Sequence, residues 1–100
     1  MARTGDNWSK KELALAVEAY VHMYRMQLSG NTPKKSQVQN IYLPQMAKKR
    51  SPKSWDYRMC NISAVFDDLG LEYVRGFKPL KNVGTRVRQE LIEALVRSLA

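Results

Sequence analysis

Residues 47–70 of this 100-residue chain read AKKRSPKSWDYRMCNISAVFDDLG. Three cations, Lys48, Lys49 and Arg50, arrive together and are followed at once by Ser51 and Pro52. A serine that can accept a hydrogen bond from a free first-turn N–H, with proline directly after it, is the chemistry of a helix start. The proline lacks an N–H that the first turn would leave unsatisfied, and its φ is already helical. Trp55, Met59, Ile62, Phe66 and Leu69 then step by four, three, four and three residues. That spacing lays one continuous apolar stripe along a helix. Gly70 supplies a left-handed stop, and Leu71 is placed to fold back on Phe66. The stretch therefore predicts a helix over 51–69 with one buried stripe. Trp55 falls in the stripe, which assigns it to the core rather than to a ligand.

Upstream, WSKKEL (8–13) sets Ser9 as an N-cap and Glu12 three residues later, a capping box. Trp8 and Leu13 occupy the positions of a hydrophobic staple, the stronger reading of Trp8; its rival is an aromatic that stacks on a ligand. Leu13, Val17, Tyr20, Val21, Tyr24 and Leu28 recur at helical spacing, and Gly30 stops the run. Thr32 and Pro33 predict the cap and first position of a second helix, with Val38, Ile41 and Tyr42 as its apolar face. The ring of Pro44 clashes with the carbonyl of Asn40, so this helix is expected to kink or stop near Leu43. A further turn then buries Met46. Downstream, Leu71, Tyr73 and Phe77 alternate with polar residues, which predicts a short extended segment or hairpin arm punctuated by Gly76, Pro79 and Gly84. Val87, Leu91, Leu95 and Leu99 mark a last helix, with Ala94 beside them.

The expected fold is a mainly α single domain. It has a flexible arm over 1–7, a three-helix core over 8–70, an extended arm over 71–84 and a C-terminal helix over 85–99. The net charge is +8 and 44% of residues are hydrophobic, which suits a folded chain. No apolar run is long enough to cross a bilayer and no leader pattern opens the chain, so a soluble cytoplasmic protein is expected. One cysteine, Cys60, and one histidine, His22, argue against an internal disulfide, a zinc site and most histidine-dependent chemistry. The acids are scattered and no nucleophile–base pair stands out, so no catalytic residue, metal or cofactor is expected.

The charge is localised. Seven cations between Lys34 and Arg58 stand against one anion, Asp56. Such a stripe is the footprint of a phosphate-binding surface; the rival is a solvated, solubilising face. A short helix followed by a basic turn and a capped third helix is the pattern of a helix-turn-helix or Myb-like domain, whose third helix enters the DNA major groove through its N-terminal half. Opposite the apolar stripe lie Lys53, Ser54, Tyr57 and Asn61, with Arg58 between the two faces. Arginine pairs with guanine and asparagine with adenine, which makes Arg50, Arg58 and Asn61 the base-edge candidates. Lys48, Lys49 and Lys53 suit phosphate, assisted by the positive end of the helix that Ser51 caps. Each has a structural rival. Asn61 can pin a neighbouring loop, Arg58 can pair with Asp56 or a C-terminal acid, and Tyr57 can be a half-buried rim residue.

The joint pattern resembles the N-terminal module found ahead of HNH nuclease domains in modification-dependent (type IV) bacterial restriction endonucleases. The elements that carry the resemblance are Trp8, Ser9, Glu12, the run from Ala16 to Tyr20, Arg50, Ser51, Ser54 to Asp56, Asn61 to Val65, Leu69-Gly70 and Gly76 to Pro79. Trp55 stands where that pattern has an aliphatic residue, and Pro44 interrupts the second helix. The resemblance implies binding to double-stranded DNA with sensitivity to a modified base such as methylated cytosine, in the bacterial cytoplasm at the nucleoid. One histidine and one cysteine cannot furnish an HNH site, so the chain is expected to be either an excised recognition domain, with cleavage in a C-terminal HNH part outside it, or a stand-alone relative. The expected DNA-contact set is Lys48, Lys49, Arg50, Ser51, Lys53, Ser54, Tyr57, Arg58, Asn61 and Lys78. A modified base is read either in the groove or flipped into a pocket, for which Tyr57, Tyr73 and Phe77 are the available aromatic walls. Two other readings stay open: a stand-alone helix-turn-helix regulator on an unmodified operator, and a Myb-like module that binds acidic protein tails. Oligomeric state is open too.

Overall fold

In the computed structural model, which describes residues 8–99, the capping box forms as its spacing predicts. Ser9 Oγ accepts the N–H of Glu12 at 3.1 Å, and the Glu12 carboxylate accepts the N–H of Ser9 at 2.9 Å. Helix α1 (Lys10–Leu28) starts there, with Trp8 and Leu13 both buried in the core. It closes where Gly30 N–H donates to Gln27 O and Asn31 N–H donates to Met26 O, both at 3.0 Å. The arm expected over 1–7 lies outside the described residues.

Helix α2 (Lys35–Tyr42) begins later than Thr32-Pro33 predicts. Lys34 occupies the cap position and makes no side-chain cap bond. The first turn carries Lys35, whose ammonium lies 4.6 Å from the centroid of the Phe77 ring, and Val38 is the helix's single buried residue. Pro44 does end the helix, in a 3₁₀ turn at Leu43–Gln45, and Met46 is buried behind it.

Helix α3 (Pro52–Asp68) is capped by Ser51, whose Oγ accepts the N–H of Ser54 at 3.1 Å. Its end closes through Leu71 N–H donating to Phe66 O at 2.9 Å, with Gly70 at φ 75°. Trp55, Met59, Ile62 and Phe66 are buried as the stripe predicts, whereas Leu69 is half exposed. Burial extends further than one stripe, to Arg58, Asn61, Ser63, Ala64 and Val65. Beyond its second turn α3 is a central helix, with α1 and α4 packed on it.

Helix α4 (Thr85–Leu99) buries Leu91, Ala94 and Leu95 and lies along α1. Arg86 reaches Trp8 O at 3.5 Å near one end, and Arg25 reaches Ser98 O at 3.2 Å near the other. The two helices therefore run in the same direction. The last helix is thus part of the core that covers α1.

Of the two forms expected for residues 71–84, a short extended segment or a hairpin arm, the hairpin is not formed: no strand occurs among the described residues. No second strand is within reach to pair with this segment, and helix side chains satisfy its backbone instead. Gln27 donates to Tyr73 O at 3.0 Å and accepts from Arg75 N–H at 2.9 Å. Val74 N–H donates to the Tyr20 hydroxyl at 2.9 Å. Leu80 is held at both groups, its N–H by Cys60 O at 3.0 Å and its carbonyl by Asn61 Nδ2 at 2.9 Å. Val74 and Phe77 turn inward, and Phe77 stacks beside Tyr20 at 6.3 Å. The result is a loop pinned along its length.

Candidate nucleic-acid interface

The basic turn is anchored by the residue that also completes the α1 cap. Glu12 Oε2 accepts from the Lys48 N–H at 3.3 Å and from Arg50 Nε at 3.1 Å, while Oε1 accepts from Arg50 Nη2 at 2.8 Å. Both side chains of this ion pair are about 95% or more buried. Burial alone would raise the Glu12 carboxyl. The hydrogen bonds from Arg50, Ser9 and Lys48, with the charge of Arg50, outweigh it and hold the group down at about 2. Arg50 also lies 4.9 Å from the Trp8 ring centroid. Arg50 is therefore removed from the base-edge set: its guanidinium fork is spent on Glu12 inside the protein. Its effect is to fix the turn that displays Lys48 and Lys49.

Arg58 and Asn61 are corrected in the same way. Asn61 is fully buried and Arg58 is 4% exposed. Arg58 Nη1 donates to Asn61 Oδ1 at 3.0 Å, and Arg58 lies 5.1 Å from the Trp8 ring centroid. Asn61 then spends its donor on the carbonyl of Leu80. The loop-pinning rival for Asn61 is the one the geometry matches. Arg58 also lies 5.9 Å from the Tyr57 ring centroid. Neither side chain reaches solvent at a base edge, because α3 turns this flank toward α1 and the 71–84 loop.

The surface left around the start of α3 is compact and cationic. Lys48, Lys49 and Lys53 are exposed, as is Ser51; Ser54 is half-buried. Tyr57 is 39% exposed and its hydroxyl contacts Asn82 O at 3.4 Å, which makes it a rim residue with a free ring edge. Lys78 is exposed on the pinned loop. None of these four lysines forms an ion pair among the described residues. Three cations elsewhere are neutralised locally: Lys81 by Asp67 and Asp68, Arg88 by Asp68, and Arg86 by Glu90. Those carboxylates belong to the end of α3 and to α4, at a distance along the chain from the basic turn.

Beside the turn runs an open groove of about 420 Å³, walled by Gln39, Asn40, Leu43 and Pro44 and rimmed by Lys48 and Lys49. Of the three aromatics available to wall a pocket, Tyr57 is at the rim, Tyr73 is half-buried and Phe77 is packed into the core. Two exposed lysines missed by the sequence reading, Lys10 and Lys11, stand on the first turn of α1. Glu12, next to them, holds the Lys48 backbone, so this turn adjoins the basic turn. The local cue was the adjacency of "KK" to the capping box; what it lacked was the contact that brings residues 10–12 to residues 48–50. Among the described residues no group of His, Cys, Asp and Glu could hold a metal ion, and no helix is long and apolar enough to cross a membrane. Comparison with protein-family models, with curated proteins and with solved structures returned no match.

Proposed function

We propose that this chain is a double-stranded DNA-binding domain that meets DNA with the first two turns of α3 and the basic turn before them, in a helix-turn-helix-like arrangement. The single observation that carries the reading is the sorting of charge. Lys48, Lys49 and Lys53 stand exposed without carboxylate partners around a helix N-terminus, while Lys81, Arg86 and Arg88 are neutralised by acids of α3's last turn and of α4. A helix start supplies partial positive charge, and clustered lysines supply the counter-charge that a phosphate backbone takes up. On the first two turns of α3, Lys53 and Tyr57 are exposed beside Asp56, and Lys53 and Tyr57 are the side chains offered to a groove. Arg50, Arg58 and Asn61 act behind them as positioning residues.

The resemblance to the modules that precede HNH nuclease domains extends the proposal: the chain is the DNA-recognition module of a modification-dependent restriction endonuclease, with cleavage supplied by another domain. The test is fluorescence anisotropy with matched plain and cytosine-methylated duplexes at several salt concentrations. The expected result is duplex binding that weakens steeply as salt rises, with the methylated duplex bound more tightly. Absence of binding to either duplex at low salt overturns the proposal. Equal binding to both removes the modification-reading part alone.

A further inference from the structure

A second group of cations lies on different elements from the basic turn. Lys34 and Lys35 open α2, and Arg75 and Lys78 belong to the pinned loop; all four are exposed. They are brought together by one close approach. The Lys35 ammonium rests over the Phe77 ring and against the backbone of Gly76. Gly76 has φ 99° and no Cβ, so a side chain there would be strained and would collide with Lys35. The approach docks the first turn of α2 on residues 74–78.

The loop that carries Arg75 and Lys78 is not a free tether. Its backbone is bonded to Gln27, Tyr20, Cys60 and Asn61 at the distances given above, so the stretch that bears the two side chains has a fixed course before any ligand arrives. Two carboxylates adjoin the group. Asp56 faces Cys60 on α3, where Lys35 also acts, and Glu72 accepts from Gln27 at 3.3 Å. Neither forms an ion pair with the four cations. Four like charges against two acids repel one another in the unbound protein, and a closely spaced polyanion relieves that repulsion. The loop that bears Arg75 and Lys78 is tied to α3 further along, where Tyr57 touches Asn82 and Cys60 O accepts the Leu80 N–H.

We infer that Lys34, Lys35, Arg75 and Lys78 form a second phosphate-contacting site, which grips the backbone of the same DNA duplex whose groove faces α3. The inference rests on the duplex-binding reading and adds a contact region that the basic turn does not contain. Asn61 thereby gains a role: by holding Leu80 it keeps the second site in register with α3.

The test compares folded variants with the native protein by the slope of log K against log salt on one duplex, with far-UV circular dichroism and thermal melting as the check on folding. The triple variant K34Q/R75Q/K78Q is expected to flatten the slope by about 0.9 for each phosphate it no longer neutralises, roughly 2.7 for three. K48Q/K49Q is expected to flatten it independently, and K34R/K78R, which keeps the charges, is expected to leave it near the native value. If the triple variant melts early, K34Q/K78Q replaces it, both residues being exposed. A triple variant that keeps the native slope while K48Q/K49Q flattens it overturns the second site and leaves the duplex-binding reading intact. No binding by the native protein overturns both.

Discussion

Glu12 shows how one carboxylate can link a local motif to a distant surface. Its spacing from Ser9 makes it a capping-box acid, and its spare lone pairs collect Arg50 and the Lys48 backbone. Removing the charge leaves Arg50 buried against a neutral amide. Glu12→Gln weakens hydrogen bonds made to a charged group and is therefore expected to cost about 1.5–3 kcal/mol, read by urea denaturation. The pH dependence follows from the same group. Its pKa is lower folded, at about 2, than the ordinary 4.5. The stabilisation is therefore complete above about pH 4.5 and is lost as pH falls toward 2, on the order of 3 kcal/mol in all. Denaturation curves across that range should show the loss in the native chain and a shallower one in Glu12→Gln. Asn61 makes the matching case on α3. Asn61→Ala is expected to cost about 1–3 kcal/mol by stranding the Leu80 carbonyl and an Arg58 donor. Amide exchange should be faster at Leu80, whose N–H bonds Cys60. A stability unchanged within error would remove Asn61 from the positioning role. Residue types alone pointed Arg50, Arg58 and Asn61 at bases; what they touch depends on which flank of α3 is covered, and that is set by residues far away in the chain.

At the scale of elements, legibility followed the range of the contacts that hold each one. The starts of α1 and α3 and the closures at Gly30 and Gly70 were readable because every bond in them spans a few residues. Ser51→Ala is expected to cost about 1 kcal/mol, measured as a lower melting temperature, because the Ser54 N–H loses its acceptor. An unchanged melting temperature would mean that water caps the helix equally well. The start of α2 and the course of residues 71–84 were not readable. Thr32-Pro33 has good cap chemistry, yet the helix starts at Lys35 with no side-chain cap bond. The alternation of Leu71, Tyr73 and Phe77 suggested a strand, yet a strand needs a partner. Gln27, 46 and 48 residues from its two bonds, stands in for one.

For the molecule as a whole, the net charge matters less than its division. Lys48, Lys49 and Lys53 and the four cations of the α2–loop junction form no ion pair among the described residues, whereas Lys81, Arg86 and Arg88 are paired. The double variant K48Q/K49Q is expected to reduce the salt slope of duplex binding by about 0.9 per phosphate and to leave the melting temperature near native, since both side chains are exposed. A steep, unchanged slope would move the phosphate contacts elsewhere. Helix count, caps, stops and the concentration of positive charge were written in the order of the amino acids, because they depend on neighbours three or four residues apart and on simple addition of charge. Which cations remain outside, and which polar residues become internal ties, was decided by packing. Burial and pairing come from α1, α3, α4 and the 71–84 loop meeting across long sequence separations, where no local spacing can report them.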